Sequence, residues 1–168
     1  MHDKLTKKDI ELMEAELNER RLHIRPKIIA EVQRCREYGD LSENYEYKAA
    51  KEEQRRNDSR MRYLEAMIKT ARVIDEDAGE ADAVKLYDRV TVYVPEDEEE
   101  MIVQVVSTVR TDPEAGLVSL ESPLGKAILG KRVGQTVEIR VSDDYSYEAE
   151  IRAIVPAEDD GSAPLLPF

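Results

Sequence analysis

Apolar residues in the first part of the chain recur at Ile10, Met13, Leu17, Ile24, Ile28, Val32 and Cys35. These steps of three, four and seven mark one face of a helix, with a polar skip near Arg20 and Arg21. Thr6-Lys7-Lys8-Asp9 resembles an N-cap signal, a hydroxyl followed three residues later by a carboxylate, although glutamate is the usual partner. Pro26 falls inside the pattern and is expected to kink the helix, because it lacks an N–H and its ring crowds the preceding turn. Gly39 is expected to end it in a left-handed conformation. A second stripe, Ala50, Met61, Leu64, Ile68 and Ala71, runs through a helix expected from about Ser42–Asn44 to Arg72, with polar Asn57 in mid-seam. Two helices of similar length joined by Tyr38-Gly39-Asp40-Leu41-Ser42-Glu43-Asn44 predict an antiparallel hairpin about 45 Å long, at about 1.5 Å per residue.

Folding the chain about that turn places Ile28 opposite Gln54, Val32 opposite Ala50 and Leu17 opposite Leu64 or Glu65. The same rule sets Arg20, Arg21, Arg25 and Lys27 beside Arg62, Arg60, Arg56 and Arg55. Two basic clusters far apart in sequence become one patch midway along the hairpin. It reads either as a nucleic-acid contact or as a solvated face balanced by neighbouring glutamates.

Beyond Ile74 the pattern changes. Asp75 to Ala83 is acidic and poor in apolar residues, which predicts a linker over 75–84. Alternation with β-branched residues follows in Leu86–Val94 and Met101–Val109, then in the shorter Val118–Glu121, Thr136–Val141 and Tyr147–Val155. Between them, Ser122 to Gly130 suggests a proline turn, a short helix and a glycine stop. The fold class predicted is α+β: a coiled-coil hairpin over 1–74 with its tip at 38–46, then a small antiparallel-sheet domain over 85–156. Residues 157–168, rich in acidic and small residues, are expected to be a disordered tail.

Composition narrows the function. Of 168 residues 37% are charged, there is no Trp and one Phe, and the formal net charge is −12. Residues 1–74 hold 17 Lys/Arg against 15 Asp/Glu, and residues 75–168 hold 8 against 22, so any contact with nucleic acid belongs to the first part. No apolar run approaches the roughly 20 residues of a membrane span. A lone cysteine, Cys35, excludes an internal disulfide framework and fits a packed small hydrophobe. A cytoplasmic monomer without membrane association is expected.

The chemistry concentrates at the turn. Asp40 and Glu43 could simply cap the second helix and complement its dipole, and local physics favours that reading. Glu46 adds a third carboxylate where a cap needs one. A hairpin tip offers no pocket for general acid–base work and no histidine lies near, since His2 and His23 suggest no catalytic partner. Two carboxylates are also too few for a hard cation, which takes six or more oxygens. Completed by another protein's site, however, they could help hold a divalent ion and orient a water for phosphodiester cleavage.

The tip Gly39-Asp40-Leu41-Ser42-Glu43-Asn44, followed by Glu46-Tyr47, Ala49-Ala50-Lys51 and Glu53-Gln54, closely resembles that of the bacterial transcript cleavage factors GreA and GreB. Arg25-Pro26-Lys27-Ile28, Val73-Ile74-Asp75, Ser122-Pro123-Leu124-Gly125-Lys126-Ala127 and Leu129-Gly130-Lys131 resemble further stretches of that family. The resemblance runs from about Leu5 to Val155. It implies a coiled coil that enters the secondary channel of RNA polymerase and an FKBP-like domain that docks at the channel rim. Asp40 and Glu43 would then help bind a second Mg²⁺ in the polymerase's active centre, with no cofactor of the chain's own. Gly39, Leu41, Ser42, Asn44, Glu46 and Tyr47 would support the tip. The basic patch would face the extruded 3′ end of the nascent RNA, and Ser122, Pro123, Leu124, Gly125 and Lys126 would lie in the docking region. The polymerase would be the nuclease and this chain would lend it ligands.

The sequence departs from the family at Arg55-Arg56-Asn57-Asp58-Ser59, where a glycine-containing stretch is usual, and at Ser142-Asp143-Asp144-Tyr145, where Pro-Gly-Gly is usual. An inhibitory paralogue of the same channel is the alternative reading, although such relatives usually alter the tip acids. A peptide-binding module built on the C-terminal domain is a third, and the strands show no surplus of apolar residues for it. Prolyl isomerase activity is not expected, because Tyr87, Tyr93, Tyr145, Tyr147 and Phe168 are the aromatic residues of that half. Packing is the expected job of Tyr45 and Tyr47.

Overall fold

The computed structural model describes residues 3–39 and 44–167. It divides into two compact units, one spanning 10–71 and the other combining 3–9 with 72–167.

In the first unit, α1 (Lys7–Glu19) runs into a π-helical stretch, Arg20–Ile24, and then α2 (Arg25–Arg36); α3 is Tyr45–Thr70. The kink expected at Pro26 takes this form. The Arg25 N–H reaches back to the Arg20 carbonyl, the wider π spacing, directly before the proline. A proline at this point can offer no N–H to the turn before it and crowds its carbonyl, and widening that turn relieves both. Met13, Leu17, Ile28 and Cys35 on one side and Ala50, Asn57 and Leu64 on the other are buried, so both predicted stripes face inward. Cross-helix bonds descend along α3 as they ascend the first strand of the hairpin, from Glu16–Arg60 through Arg25–Asp58 to Arg34–Glu46, so the pairing is antiparallel.

The other unit starts at the N-terminus. Strand β1 (Lys4–Leu5) pairs in parallel with β2 (Arg72–Val73), so residues 3–9 belong here and not, as expected, to the hairpin. Thr6 and Asp9 form the reciprocal cap: the Thr6 N–H donates to Asp9 Oδ2 at 2.8 Å and the Asp9 N–H to Thr6 Oγ1 at 3.2 Å. The main sheet has the order β5-β4-β3-β7-β6, made of β3 (Arg89–Val94), β4 (Glu99–Val106), β5 (Leu117–Ser119), β6 (Thr136–Arg140) and β7 (Ser146–Val155). It is mixed, not purely antiparallel as expected: β5 lies parallel to β4. Alternation reports which face of a strand is buried and says nothing of its direction, which the connection decides. Here Ser107 to Gly116, with two 3-10 turns, carries the chain back two residues along β4, so that Leu117 starts beside Gln104 and β5 runs along the last three residues of β4.

One face of this sheet buries Val90, Val92, Val103, Val105, Val137, Ile139, Ala149 and Ile151. Val84 and Leu86 join that core, so the expected linker ends inside the fold. Helix α4 (Pro123–Ile128) covers it through Ile128. At Gly125 a Cβ would come within 2.0 Å of the Ser119 carbonyl oxygen, so no larger residue fits this close approach.

Residues 157–167 have no regular secondary structure, yet they are fastened, contrary to the disordered tail expected from composition. The Leu166 N–H donates to the Val109 carbonyl at 2.8 Å, and Arg110 holds the Ala163 carbonyl and Asp159. Acidic composition predicts disorder only where no cation is waiting; a fully buried arginine reverses it.

Candidate functional site

Asp40, Leu41, Ser42 and Glu43 lie outside the described residues, whereas the two ends that carry them are described. Helix α2 closes with the Glu37 N–H on the Gln33 carbonyl and the Tyr38 N–H on the Cys35 carbonyl, and Gly39 follows with φ of 104°, the left-handed stop expected of it. Asn44 opens α3, its side-chain oxygen accepting the Tyr47 N–H at 3.0 Å. The Asn44 amide nitrogen donates to the Cys35 carbonyl at 2.8 Å, a second bond that the sequence did not announce.

Around these ends the tip is rich in charge. Arg34 pairs with Glu31 at 2.5 Å and reaches Glu46 at 3.7 Å. Its guanidinium also lies over the Tyr38 ring, 5.5 Å from the centroid, and the Lys48 ammonium stands equally far from the Tyr45 ring. Tyr45 is 81% exposed, so packing does not hold it, whereas Tyr47 is half-buried. The Arg34 bond holds the Glu31 carboxyl below its ordinary range. Burial, then the neighbouring Glu31 charge, push the Cys35 thiol up, which keeps it protonated and fits a packing residue.

Midway along the hairpin the structure brings the two basic clusters together and supplies acids for them. Arg60 is buried and grips Glu16 with two bonds, Nε to Oε1 at 2.8 Å and Nη2 to Oε2 at 2.9 Å. Arg20 shares Glu16 at 2.7 Å and donates to Asn57 Oδ1 at 3.0 Å. Arg21 pairs with Glu65, Arg25 with Asp58, and both Arg55 and Arg56 with Glu52. Six of the eight cations of the expected patch are therefore matched by carboxylates, while Lys27 and Arg62 are exposed. The polar skip at Arg20 in the first stripe and Asn57 in the second are the signal by which this network could be found in the sequence.

In the C-terminal unit, Ser122 caps α4 by accepting the Gly125 N–H at 3.0 Å, and Pro123 takes the first helical position. Lys126 pairs with Glu121, which also holds Lys4. Pro123 and Leu124 line an open groove of about 420 Å³ together with Leu117, Val118, Ile139, Val141 and Tyr147. Ser122, Pro123, Leu124, Gly125 and Lys126 thus lie together at the start of α4, with Pro123 and Lys126 exposed and Gly125 buried.

Among the described residues no group of three or more His, Cys, Asp or Glu side chains is arranged to hold a metal ion, and no helix is long and apolar enough to cross a membrane. Residues 4–73 match the family described as transcription elongation factor, N-terminal, and residues 79–156 match transcription elongation factor GreA/GreB, C-terminal. The chain is 38% identical to transcription elongation factor GreA of Mesoplasma florum, over 86% of this chain and 93% of that protein. It is 40% identical to GreA of Leuconostoc mesenteroides, over 83% of this chain and 87% of that protein. A solved structure, GreA factor homolog 1 of Thermus thermophilus, aligns with a TM-score of 0.43 at 28% identity, covering 93% of this chain and all of the other. Both family matches lie end to end over the hairpin and the sheet domain, and the chain belongs to the GreA/GreB family of transcription elongation factors.

Proposed function

We propose that this chain enters the secondary channel of RNA polymerase hairpin first and stimulates the polymerase's own cleavage of backtracked nascent RNA. The observation that supports this best is the antiparallel pairing of α2 and α3 around a turn holding Asp40 and Glu43. Helix α3 alone, with 26 residues, reaches about 39 Å at about 1.5 Å per residue, long enough to bring carboxylates to a buried active centre.

Two carboxylates fall short of the near-octahedral six oxygens Mg²⁺ takes, so the polymerase must supply the others. The ion would supply charge stabilisation for phosphodiester cleavage. This chain's part is to carry Asp40 and Glu43 to that centre, hold them and orient a water. A ligand set divided between two proteins makes cleavage depend on their assembly, and the chain needs no activity of its own. The exposed cations of the mid-hairpin patch, Lys27 and Arg62 with Arg55 and Arg56, would face the RNA backbone, and Ser122 to Lys126 would dock at the rim.

The test is RNA cleavage in a stalled, backtracked complex, comparing wild type with Asp40→Ala and Glu43→Ala while polymerase binding is measured separately. Cleavage stimulated by wild type and lost in both variants, at unchanged binding, supports the reading. Binding that slows transcription without cleavage would instead make the chain an inhibitor of the same channel.

A further inference from the structure

The two ends that present the tip are joined by one side chain. A helix leaves its first N–H groups and its last C=O groups without partners inside the helix. Asn44 answers one such donor and adds a bond at the other end: its Oδ1 takes the Tyr47 N–H at the start of α3, and its Nδ2 donates to the Cys35 carbonyl at the end of α2, which accepts the Tyr38 N–H as well. Only this orientation of the amide satisfies both, since the reverse would set oxygen against carbonyl oxygen and NH₂ against N–H. The bonds are 2.8 and 3.0 Å, and Asn44 lies in the extended region with φ −81° and ψ 93°, as an N-cap should. The segment closed by this clasp, residues 36–43, contains both tip acids.

A cap alone does not require asparagine, because Asp and Ser cap comparably well. Donating to a carbonyl at the same time does require it: an aspartate carboxylate has no N–H to give, and a serine side chain is too short to serve both ends. Buried Cys35 contributes through its backbone oxygen, and the packing of its side chain fixes where that oxygen points.

We propose that Asn44 is a positioning residue, a clasp that fixes the separation of the α2 and α3 ends and thereby holds Asp40 and Glu43 at the spacing their shared ion needs. The inference rests on the functional reading above. It concerns geometry and not charge, since the Asn44 side chain is uncharged and both ends of its amide are engaged by the backbone. A misplacement of about 1 Å in a reacting constellation costs on the order of a hundredfold in rate, so a lost clasp is visible even where the fold is intact.

The decisive variant is Asn44→Asp, which keeps the cap and removes the donor, set beside Asn44→Ala, which removes both. Three quantities are read for each: amide hydrogen exchange across residues 36–44 in the free protein, affinity for the polymerase, and the rate and Mg²⁺ midpoint of cleavage. Asn44→Asp is expected to keep helix content and polymerase affinity, to exchange faster across 36–44, and to cleave roughly tenfold to a hundredfold more slowly with a raised Mg²⁺ midpoint. Wild-type cleavage and wild-type exchange in Asn44→Asp, with only Asn44→Ala impaired, would reduce Asn44 to an ordinary cap and overturn the proposal. Faster exchange with unchanged cleavage would also overturn it, because the clasp would then exist without positioning the acids. Should wild type itself fail to stimulate cleavage, the functional reading falls and takes the positioning role with it, while the exchange comparison still decides whether the clasp exists.

Discussion

The hairpin and the C-terminal unit each bury an arginine against carboxylates, with different degrees of closure. In the hairpin, Arg60 is held by Glu16, whose side chain is still 24% exposed, and Arg20 and Asn57 complete a layer open to water on one side. In the C-terminal unit, Arg110 is fully buried, Asp9 is fully buried and Asp159 is 1% exposed. There Nη1 donates to Asp9 Oδ1 at 3.1 Å and Asp159 Oδ2 at 2.8 Å, Nη2 to Asp159 Oδ1 at 2.7 Å, and Nε to the Ala163 carbonyl at 2.6 Å, while the Tyr87 ring lies 5.6 Å below the guanidinium. The open layer sets the register of two helices that would otherwise slide along an apolar seam. The sealed cluster ties three separate segments, residues 3–9, 107–110 and 157–166, to one group.

Burial decides how each behaves when broken. Two desolvated charges contribute little net stability as a pair, but removing one strands the other in a low-dielectric interior. Arg110→Ala leaves Asp9 and Asp159 without their cation, and a loss of about 3–5 kcal/mol is expected. The thermal midpoint measures it, and the Leu166 amide, bonded to Val109, should lose its protection from exchange. If that amide stays protected, the tail is held by something other than Arg110, and the contrast between the two clusters fails.

Glu16→Gln tests the open layer. The Arg60 bonds first, outweighing partial burial, hold the Glu16 carboxyl below its ordinary value, so the stability it contributes is present above the unfolded pKa and lost as pH falls through the folded one. Glu16 is itself partly open to water and glutamine keeps an acceptor for Arg60, so a cost of about 1–3 kcal/mol is expected, smaller than at Arg110. Helical circular dichroism on melting checks it. A loss as large as that of Arg110→Ala would mean the layer is effectively sealed.

The smallest effect carries the opposite sign. Burial first, then the charges of Asp159, Asp77, Asp9 and Asp75, push the Glu76 carboxyl above its ordinary range. A raised carboxyl pKa costs stability while the group is ionised, and the cost disappears as pH falls through the folded value. Glu76→Gln should therefore raise the melting temperature at pH 7 by the equivalent of no more than about 0.5 kcal/mol, with the gain shrinking as the buffer is acidified. Asp159 behaves in reverse: burial alone would raise it, but the Arg110 bonds prevail and hold it low, so its contribution is lost only as pH falls through its lowered folded value. A gain for Glu76→Gln that grows on acidification would contradict the raised Glu76 carboxyl.

What could be read from the chain follows the same division. The helical stripes, the Thr6–Asp9 cap, the Gly39 stop, five strands and α4 were all legible, because each is set by residues within a few positions of one another. The choice of aspartate over the usual glutamate at position 9 was a visible anomaly, and its reason lies at Arg110, 101 residues away. The parallel edge strand, the transfer of residues 3–9 to the C-terminal unit and the docking of the tail each depend on partners far along the chain. At the tip, the sequence named the acids and offered them as the cap of the second helix, whereas the structure gives the cap to Asn44, whose second bond reaches the Cys35 carbonyl.

The sequence by itself determined the hairpin, the strand-rich half and the acidic turn, since periodicity and local hydrogen-bonding chemistry act over single turns of helix and single strands. Only the tertiary structure decided which charges are neutralised, which carboxylate is stranded and what holds the tail. Those outcomes depend on desolvation, and desolvation is a property of the packed molecule rather than of any segment.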